Sequence, residues 1–461
     1  MKRPNAWEKY NTKQREEIAS FVEGYKEFIS VCKTERECVS RVVADAVKNG
    51  YRDINEVIAN KETLKSGDKA YINNMGKSVA LFLIGEKPIE EGMNILGAHV
   101  DSPRLDLKQN PLFEDNDLAL LDTHYYGGIK KYQWVTVPLA LHGVVAKKDG
   151  TLVKIVIGEE ETDPVVGVSD LLVHLSADQM VKTGSKVVEG ERLDILVGSI
   201  PLKDEEKEPV KAYILHILKE KYDIEEEDFL SAEIEVVPAG KARDYGLDRS
   251  MVMGYGHDDR ICAYPSYMAM LALDKVDKTS VCILVDKEEI GSVGATGMHS
   301  RFFENAVAEI LYATTNGNYS DILVRRAFQN SKMLSSDVTA AFDPNYPGVM
   351  ETKNAAYLGK GLCYMKYTGS RGKSGSNDAN AEFMASVRKL MDDYDVSYQT
   401  SELGKVDQGG GGTIAYILAQ YNMEVIDSGI PVLNMHSPWE IASKVDIYEG
   451  YIGYKAFLRD M

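Results

Sequence analysis

The sharpest break in the hydrophobic pattern follows Val281-Cys282-Ile283-Leu284-Val285, a β-branched apolar run that stops at Asp286-Lys287-Glu288-Glu289-Ile290-Gly291. An apolar run without polar alternation reads as a strand covered on both faces. Such a strand delivers two acids to its C-terminal tip, where open α/β sheets place their sites. Taken alone, adjacent glutamates are more often a solvated surface. Upstream, apolar positions at helical spacing (Ile18, Phe21, Val22, Tyr25, Phe28, Ile29 and Cys32) predict one helix, and Cys38, Val42, Val43 and Ala46 a second. Residues 78–85 and 92–101 read as strands.

Between residues 105 and 238 the texture changes to short strand-like runs with few long helices. Residues 135–145 and 152–158 flank Lys148-Asp149-Gly150, a hairpin signature. The charged stretches 203–208 and 220–228 read as exposed loops or solvated helix ends. Alternation resumes near Tyr255. A helix is predicted over 258–276, opening on two acids despite Pro265, and another over 305–312. Residues 368–378 form a Gly- and Ser-rich loop, and Gly409 to Gly412 open an apolar helix over 414–420. A strand over 430–435 and a final helix close the chain. The pattern predicts an α/β fold made of two segments, residues 1–104 and 248–461, interrupted by a β-rich insertion over 105–247.

Length agrees with that plan: 461 residues are too many for one ordinary core, at about 150 residues per domain. The formal net charge of -18 argues against nucleic acid or an anionic membrane as the main partner. No apolar run approaches the ~20 residues of a membrane span, and no signal peptide is evident. The five cysteines are odd in number and scattered, as in reduced proteins of the cytoplasm. Cys32 and Cys38 lack the spacing of a zinc knuckle, so any metal must use His and carboxylate.

Several segments share one syntax, an apolar run ending in a residue able to hold a metal. His99 and Asp101 follow 95–98, Asp258-Asp259 follow 251–255, Glu288-Glu289 follow 281–285, Asp337 follows Met333-Leu334, and His436 follows 432–435. Parallel strands would bring such tips to one sheet edge. Two His with several carboxylates suit zinc or a similar divalent ion, and a carboxylate can bridge two of them. Alternation along a strand would let Asp101 accept the other ring N–H of His99. Each piece also has a plain structural reading: a satisfied core His, a helix opened by acids, a structural His436. Glu288 and Glu289 cannot both face a metal from a regular strand, so the strand must already have broken into a loop, which Gly291 favours.

The ordered set Ala98-His99-Val100-Asp101-Ser102-Pro103-Arg104, Asp258-Asp259-Arg260, Lys287-Glu288-Glu289-Ile290-Gly291-Ser292, Ser336-Asp337 and Met435-His436-Ser437 resembles the aspartyl aminopeptidase / aminopeptidase I family of dinuclear zinc metallopeptidases. The resemblance spans nearly the whole chain. It implies a mixed-sheet, three-layer catalytic core with an inserted dimerisation domain, and assembly into a tetrahedral dodecamer. It further implies that His99, Asp258, Glu289, Asp337 and His436 bind two divalent ions, zinc first and cobalt or manganese as other candidates. Asp258 would bridge the ions, Asp101 would stand behind His99, and Glu288 would be the general base. Peptides would be the substrates. His174 would match a histidine reaching a neighbouring subunit's site, although Asp170 stands where the family motif has its earlier His. Lys366 would meet an acidic N-terminal side chain, while a neutral or Leu-type preference stays open. The glycine run lacks the Lys-Ser/Thr of a phosphate loop and is expected to let backbone N–H groups approach substrate. A related deacylase or carboxypeptidase, and a scaffold that keeps metal for assembly alone, are the competing readings.

Overall fold

The computed structural model describes residues 3–461, which fall into two compact units. The first comprises the chain up to Asp101 with Ala242–Met435 and Glu440–Met461; the second comprises Ser102–Lys241 with His436–Trp439.

The first unit is built on a nine-stranded mixed sheet. Four neighbouring strands at its centre run parallel: Thr279–Val285, Met93–His99, Lys332–Ser336 and Glu424–Gly429. Register pairs Val285 with His99 and Leu334 with both Leu96 and Ile426, so the strand ends reach one edge together. The apolar runs are buried on both faces because successive side chains point opposite ways. Leu96, Ala98, Cys282, Leu284 and Leu334 pack into one core with helices Thr12–Val31, Glu35–Lys48, His257–Leu271, Ala381–Asp393 and Lys444–Asp460. Met93, Ile95, Val281, Ile283 and Met333 pack into another with Ile54–Ala59, Phe302–Thr314, Asp321–Gln329 and Ala415–Ala419. The result is a helix–sheet–helix sandwich with its functional edge at the strand tips.

A separate five-stranded sheet in this unit corrects one expectation. Met251–Gly254 and Pro431–Leu433 do not join the large sheet; both pair antiparallel with Glu440–Ser443. Asp258 therefore does not arrive on a parallel strand tip, and the strand preceding His436 is not in the large sheet either. Period-two patterning identifies a strand but cannot say which sheet it enters. The strand Glu424–Gly429, central to the large sheet, is absent from the sequence reading, because Asp427, Ser428 and Gly429 break its apolar run.

The second unit carries a six-stranded antiparallel sheet. The hairpin joins Leu139–Ala146 to Leu152–Ile157, with Gly150 at φ 89° and its N–H on the Lys147 carbonyl at 2.9 Å. It also holds a 14-residue helix, Pro209–Tyr222, between the two charged stretches, where the sequence reading placed no helix. Its N-terminus has no cap of its own. Instead a Glu114 oxygen accepts the Val210 and Lys211 N–H groups at 2.8 and 2.9 Å, a partner too distant in sequence for local cap rules to reveal.

Candidate metal centre

His99 ends its strand, so Asp101 already lies beyond the pleat. This modifies the alternation argument: Nδ1 of His99 stands 3.0 Å from the Asp101 carbonyl oxygen and 3.2 Å from its Oδ1. Both neighbours are acceptors, so a neutral ring carries its proton on Nδ1 and turns the Nε2 lone pair outward. Nε2 faces carboxylate oxygens, Asp258 Oδ1 at 3.2 Å and Glu288 Oε2 and Asp337 Oδ1 at 3.9 Å. The ring is 1% exposed.

The Asp101 carboxylate does something the sequence did not disclose. Oδ1 accepts the main-chain N–H of Glu288 and Oδ2 that of Glu289, each at 3.1 Å. The strand has ended at Val285, and the two glutamates sit in a 3₁₀ turn, Glu288–Ile290, between Lys287 at φ 70° and Gly291 at φ 93°. The expected break of the strand is thus a tight turn, tied at both amides to a buried acid.

Asp258 and Asp259 stand at the N-terminal end of His257–Leu271 without helical geometry. Their backbone angles are non-helical, the peptide between them is cis, and the Asp258 N–H donates to Glu440 Oε2 at 3.1 Å. The predicted helix over 258–276 ends at Leu271. Asp259, fully buried, accepts the His99 main-chain N–H at 3.2 Å. Arg260 follows, also fully buried, donating to the carbonyls of Val100 at 3.2 Å and Lys33 at 2.8 Å. Asp337 leaves its strand with its N–H on the Ser428 carbonyl at 3.0 Å. A Cβ on Gly429 would lie 1.6 Å from the Asp337 carbonyl oxygen, so this approach requires glycine. Arg260, Gly429 and Glu440 were missed as site residues, and Asp259 was read only as able to hold a metal, not as the acceptor of the His99 N–H; only the Asp-Asp-Arg triplet gave any sequence signal.

The electrostatics mark a place for cations. Burial first, then the charges of Asp259 and Glu288, push the Asp337 carboxyl well above its usual range. Burial likewise raises Asp259, opposed by His99 and reinforced by Asp258. Burial works against an imidazolium at His99, yet the Asp101 and Asp258 carboxylates outweigh it and hold its pKa well up. The ligand atoms of His99, Asp258 and Asp337 lie within 4.8 Å of one another, as do those of His99, Glu288 and Glu289. Imidazole nitrogen with several carboxylates is a donor set that suits a divalent ion such as zinc, so the residues fit such a group.

Three further residues, His436, His174 and Lys366, were expected to contribute. His436 belongs to the second unit, half-buried at φ 65°, with Nδ1 2.8 Å from the Gly128 carbonyl. His174 is exposed in the turn Val173–Leu175 of that unit. Lys366 is exposed just after the strand Leu362–Met365, which runs antiparallel to Glu424–Gly429. Cys363 pairs with Gly429 and Met365 with Asp427, so the strand runs away from the edge that bears Asp337 and Lys366 lies further from it than Cys363 does. The glycine run is structural in part: a Cβ on Gly409 would meet the Leu403 carbonyl at 1.7 Å, and one on Gly410 the Gly369 carbonyl at 2.0 Å. The helix after it, Ala415–Ala419, is a single short turn rather than an anion-binding terminus.

The profile of the aminopeptidase I zinc metalloproteases (M18) matches residues 28–458. This chain belongs to the M18 family. A probable M18 family aminopeptidase 1 from Clostridium acetobutylicum is 64% identical over 457 residues, covering 99% of this chain and 98% of the relative. An M18 aminopeptidase crystal structure from Thermotoga maritima superposes with a TM-score of 0.95 at 44% identity, and aminopeptidase I from Clostridium acetobutylicum with 0.93 at 62%; each covers all of both chains. The chain is accordingly a metal-dependent aminopeptidase of mixed α/β fold, in a family described as zinc metalloproteases.

Proposed function

We propose that this M18 enzyme removes single N-terminal residues, acidic or neutral and Leu-type, from peptides, using two divalent ions and Glu288 as general base. The observation that carries the proposal is the buried cluster in which His99 Nε2 meets Asp258, Glu288 and Asp337 while Asp101 braces the Glu288-Glu289 turn. Charge supports two ions rather than one. Asp101, Asp258, Asp259, Glu288, Glu289 and Asp337 carry six carboxylates in one neighbourhood; two divalent ions would offset four of those charges and Arg260 a fifth. His99 and Asp337 would hold one ion, Glu289 and His436 the other, and Asp258 both. Zinc is favoured, with cobalt or manganese as alternatives.

Bound there, the ions would polarise the scissile carbonyl and acidify a water. Glu288 takes the proton from that water as its oxygen attacks the carbonyl carbon. It passes the proton to the amine nitrogen as the C–N bond breaks, so the glutamate ends the cycle ionised. Its side chain is 16% exposed, which leaves it a route for proton exchange, and Asp101 keeps its main chain in place. His174 and Lys366 enter as substrate contacts on the sequence resemblance alone. Assays on one peptide with a free and then an acetylated N-terminus test the reading, alongside a panel of first residues. Only the free form should be cleaved; equal rates would turn the assignment toward a deacylase or carboxypeptidase.

Self-association through the second unit is part of the same proposal. Leu171, Leu172, Val173, Leu175, Met180 and Val181 are 46 to 84% exposed in one short stretch, more apolar surface than an isolated chain usually shows. A neighbour with the same fold, 21% identical, was solved as a dodecamer. A cytoplasmic setting accords with five buried, unbridged cysteines, and no helix among the described residues is long and apolar enough to cross a membrane.

A further inference from the structure

The first unit contains a second concavity that shares no residue with the metal centre: a cavity of about 950 Å³ lined by Arg3, Lys353, Lys360 and Arg388 and by no carboxylate. In a chain of net charge -18 this gathering of one sign is out of keeping with the remainder. Among the described residues none of the four side chains forms an ion pair. Like charges around one cavity repel, a cost that a visiting anion would remove.

The walls are held in place. Asp446, fully buried, accepts the Gly359 and Gly361 N–H groups at 2.7 Å each and so clamps the backbone on both sides of Lys360. Tyr357 and Gln399 exchange hydrogen bonds, Tyr357 N–H to Gln399 Oε1 and Gln399 Nε2 to the Tyr357 carbonyl, both at 2.9 Å. Arg3 stands 4.3 Å over the Tyr398 ring, and Ala6 N–H holds the N-terminal segment to the Gly359 carbonyl at 2.7 Å. Arg388 projects from the helix Ala381–Asp393. Acids (Glu8, Asp392 and Asp395) line only an adjoining cavity of about 440 Å³ on the side of Arg3 and Lys360. The larger cavity lies within the range of about 300–1,000 Å³ typical of small-molecule sites and far exceeds a single inorganic phosphate.

We propose that this cavity binds a small molecule bearing two or more phosphates, of the nucleoside di- or triphosphate type. Lys353, Lys360 and the guanidinium forks of Arg3 and Arg388 take the phosphate oxygens, and the Tyr357 and Tyr398 walls offer apolar surface to a ring. The assignment is independent of the reading of the metal centre. Calorimetric titration of the full-length, metal-replete protein with ATP, inorganic tripolyphosphate and tetraglutamate tests it, with magnesium in excess so that the phosphates do not strip the centre. Saturable binding of ATP or tripolyphosphate at one site per subunit is expected, weakened at least about tenfold by Lys353→Glu and by Arg388→Glu. Both positions are exposed, and aminopeptidase turnover should be unchanged in both variants. Equal affinity for the two phosphates supports recognition through the phosphate chain, and tighter ATP supports a part for the tyrosines. Binding of neither, binding indifferent to both charge reversals, or binding of tetraglutamate alone would overturn the proposal.

Discussion

Asp101 and Glu288 are joined through the main chain, the Asp101 Oδ1 accepting the Glu288 N–H at 3.1 Å while Oδ2 accepts the next amide, that of Glu289, at the same distance. The same carboxylate stands 3.2 Å from Nδ1 of His99. One buried acid thus sets the ring orientation of a proposed ligand and the turn that carries the proposed base. Asp101→Asn keeps the size but offers one acceptor in place of two, and its amide would point N–H at N–H. Turnover should fall about 10- to 100-fold, the range seen when residues that orient metal ligands are changed. The loss should appear in kcat more than in KM, with far-UV circular dichroism unchanged. An unaltered kcat would remove Asp101 from this role.

A second prediction concerns a buried acid beneath the active edge. Burial pushes the Asp427 carboxyl up to about 7, although Thr413 Oγ1 donates to its Oδ1 at 2.5 Å. A carboxyl whose folded pKa lies above its unfolded value, ~3.9, favours the folded state only while protonated. Its contribution is therefore complete below about pH 4 and is lost as pH rises toward 7. Asp427→Asn removes the titration. Urea unfolding from pH 4 to 8 should show the variant gaining stability relative to wild type across this window; a difference independent of pH would contradict the assignment.

The exposed apolar stretch of the second unit makes a third prediction. Introducing Val173→Glu with Leu175→Glu places two charges on side chains that are 78 and 68% exposed in the isolated chain. Folding should be unaffected, because neither side chain is buried. Sedimentation velocity should show a smaller species than wild type if this surface mediates assembly. An unchanged sedimentation coefficient would locate the interface elsewhere.

Strands with uninterrupted apolar runs, Met93–His99 and Thr279–Val285, were legible because burial on both faces leaves no polar alternation to confuse them. So was the syntax of a run ending in acids. The helix Pro209–Tyr222 was hidden by a cap supplied from Glu114, and Glu424–Gly429 by the polar residues at its end. Sheet membership was hidden too, since Met251–Gly254 and Pro431–Leu433 look like any strand yet build a separate sheet. Of the centre, the acids and His99 could be named from sequence. The bracing by Asp259, Arg260 and Glu440 could not, because it depends on which backbone groups those side chains reach.

The central claim, that Glu288 moves the proton and Glu289 holds metal, is tested most directly by Glu288→Gln with turnover and bound metal measured on the same sample. Gln keeps the shape and the main-chain bond to Asp101 but cannot take a proton. Hydrolysis of a peptide with a free N-terminus should fall by about 10²- to 10⁴-fold, the usual contribution of a general base, with metal per subunit equal to wild type. Retained turnover, or a loss matched by an equal loss of metal, would contradict the account.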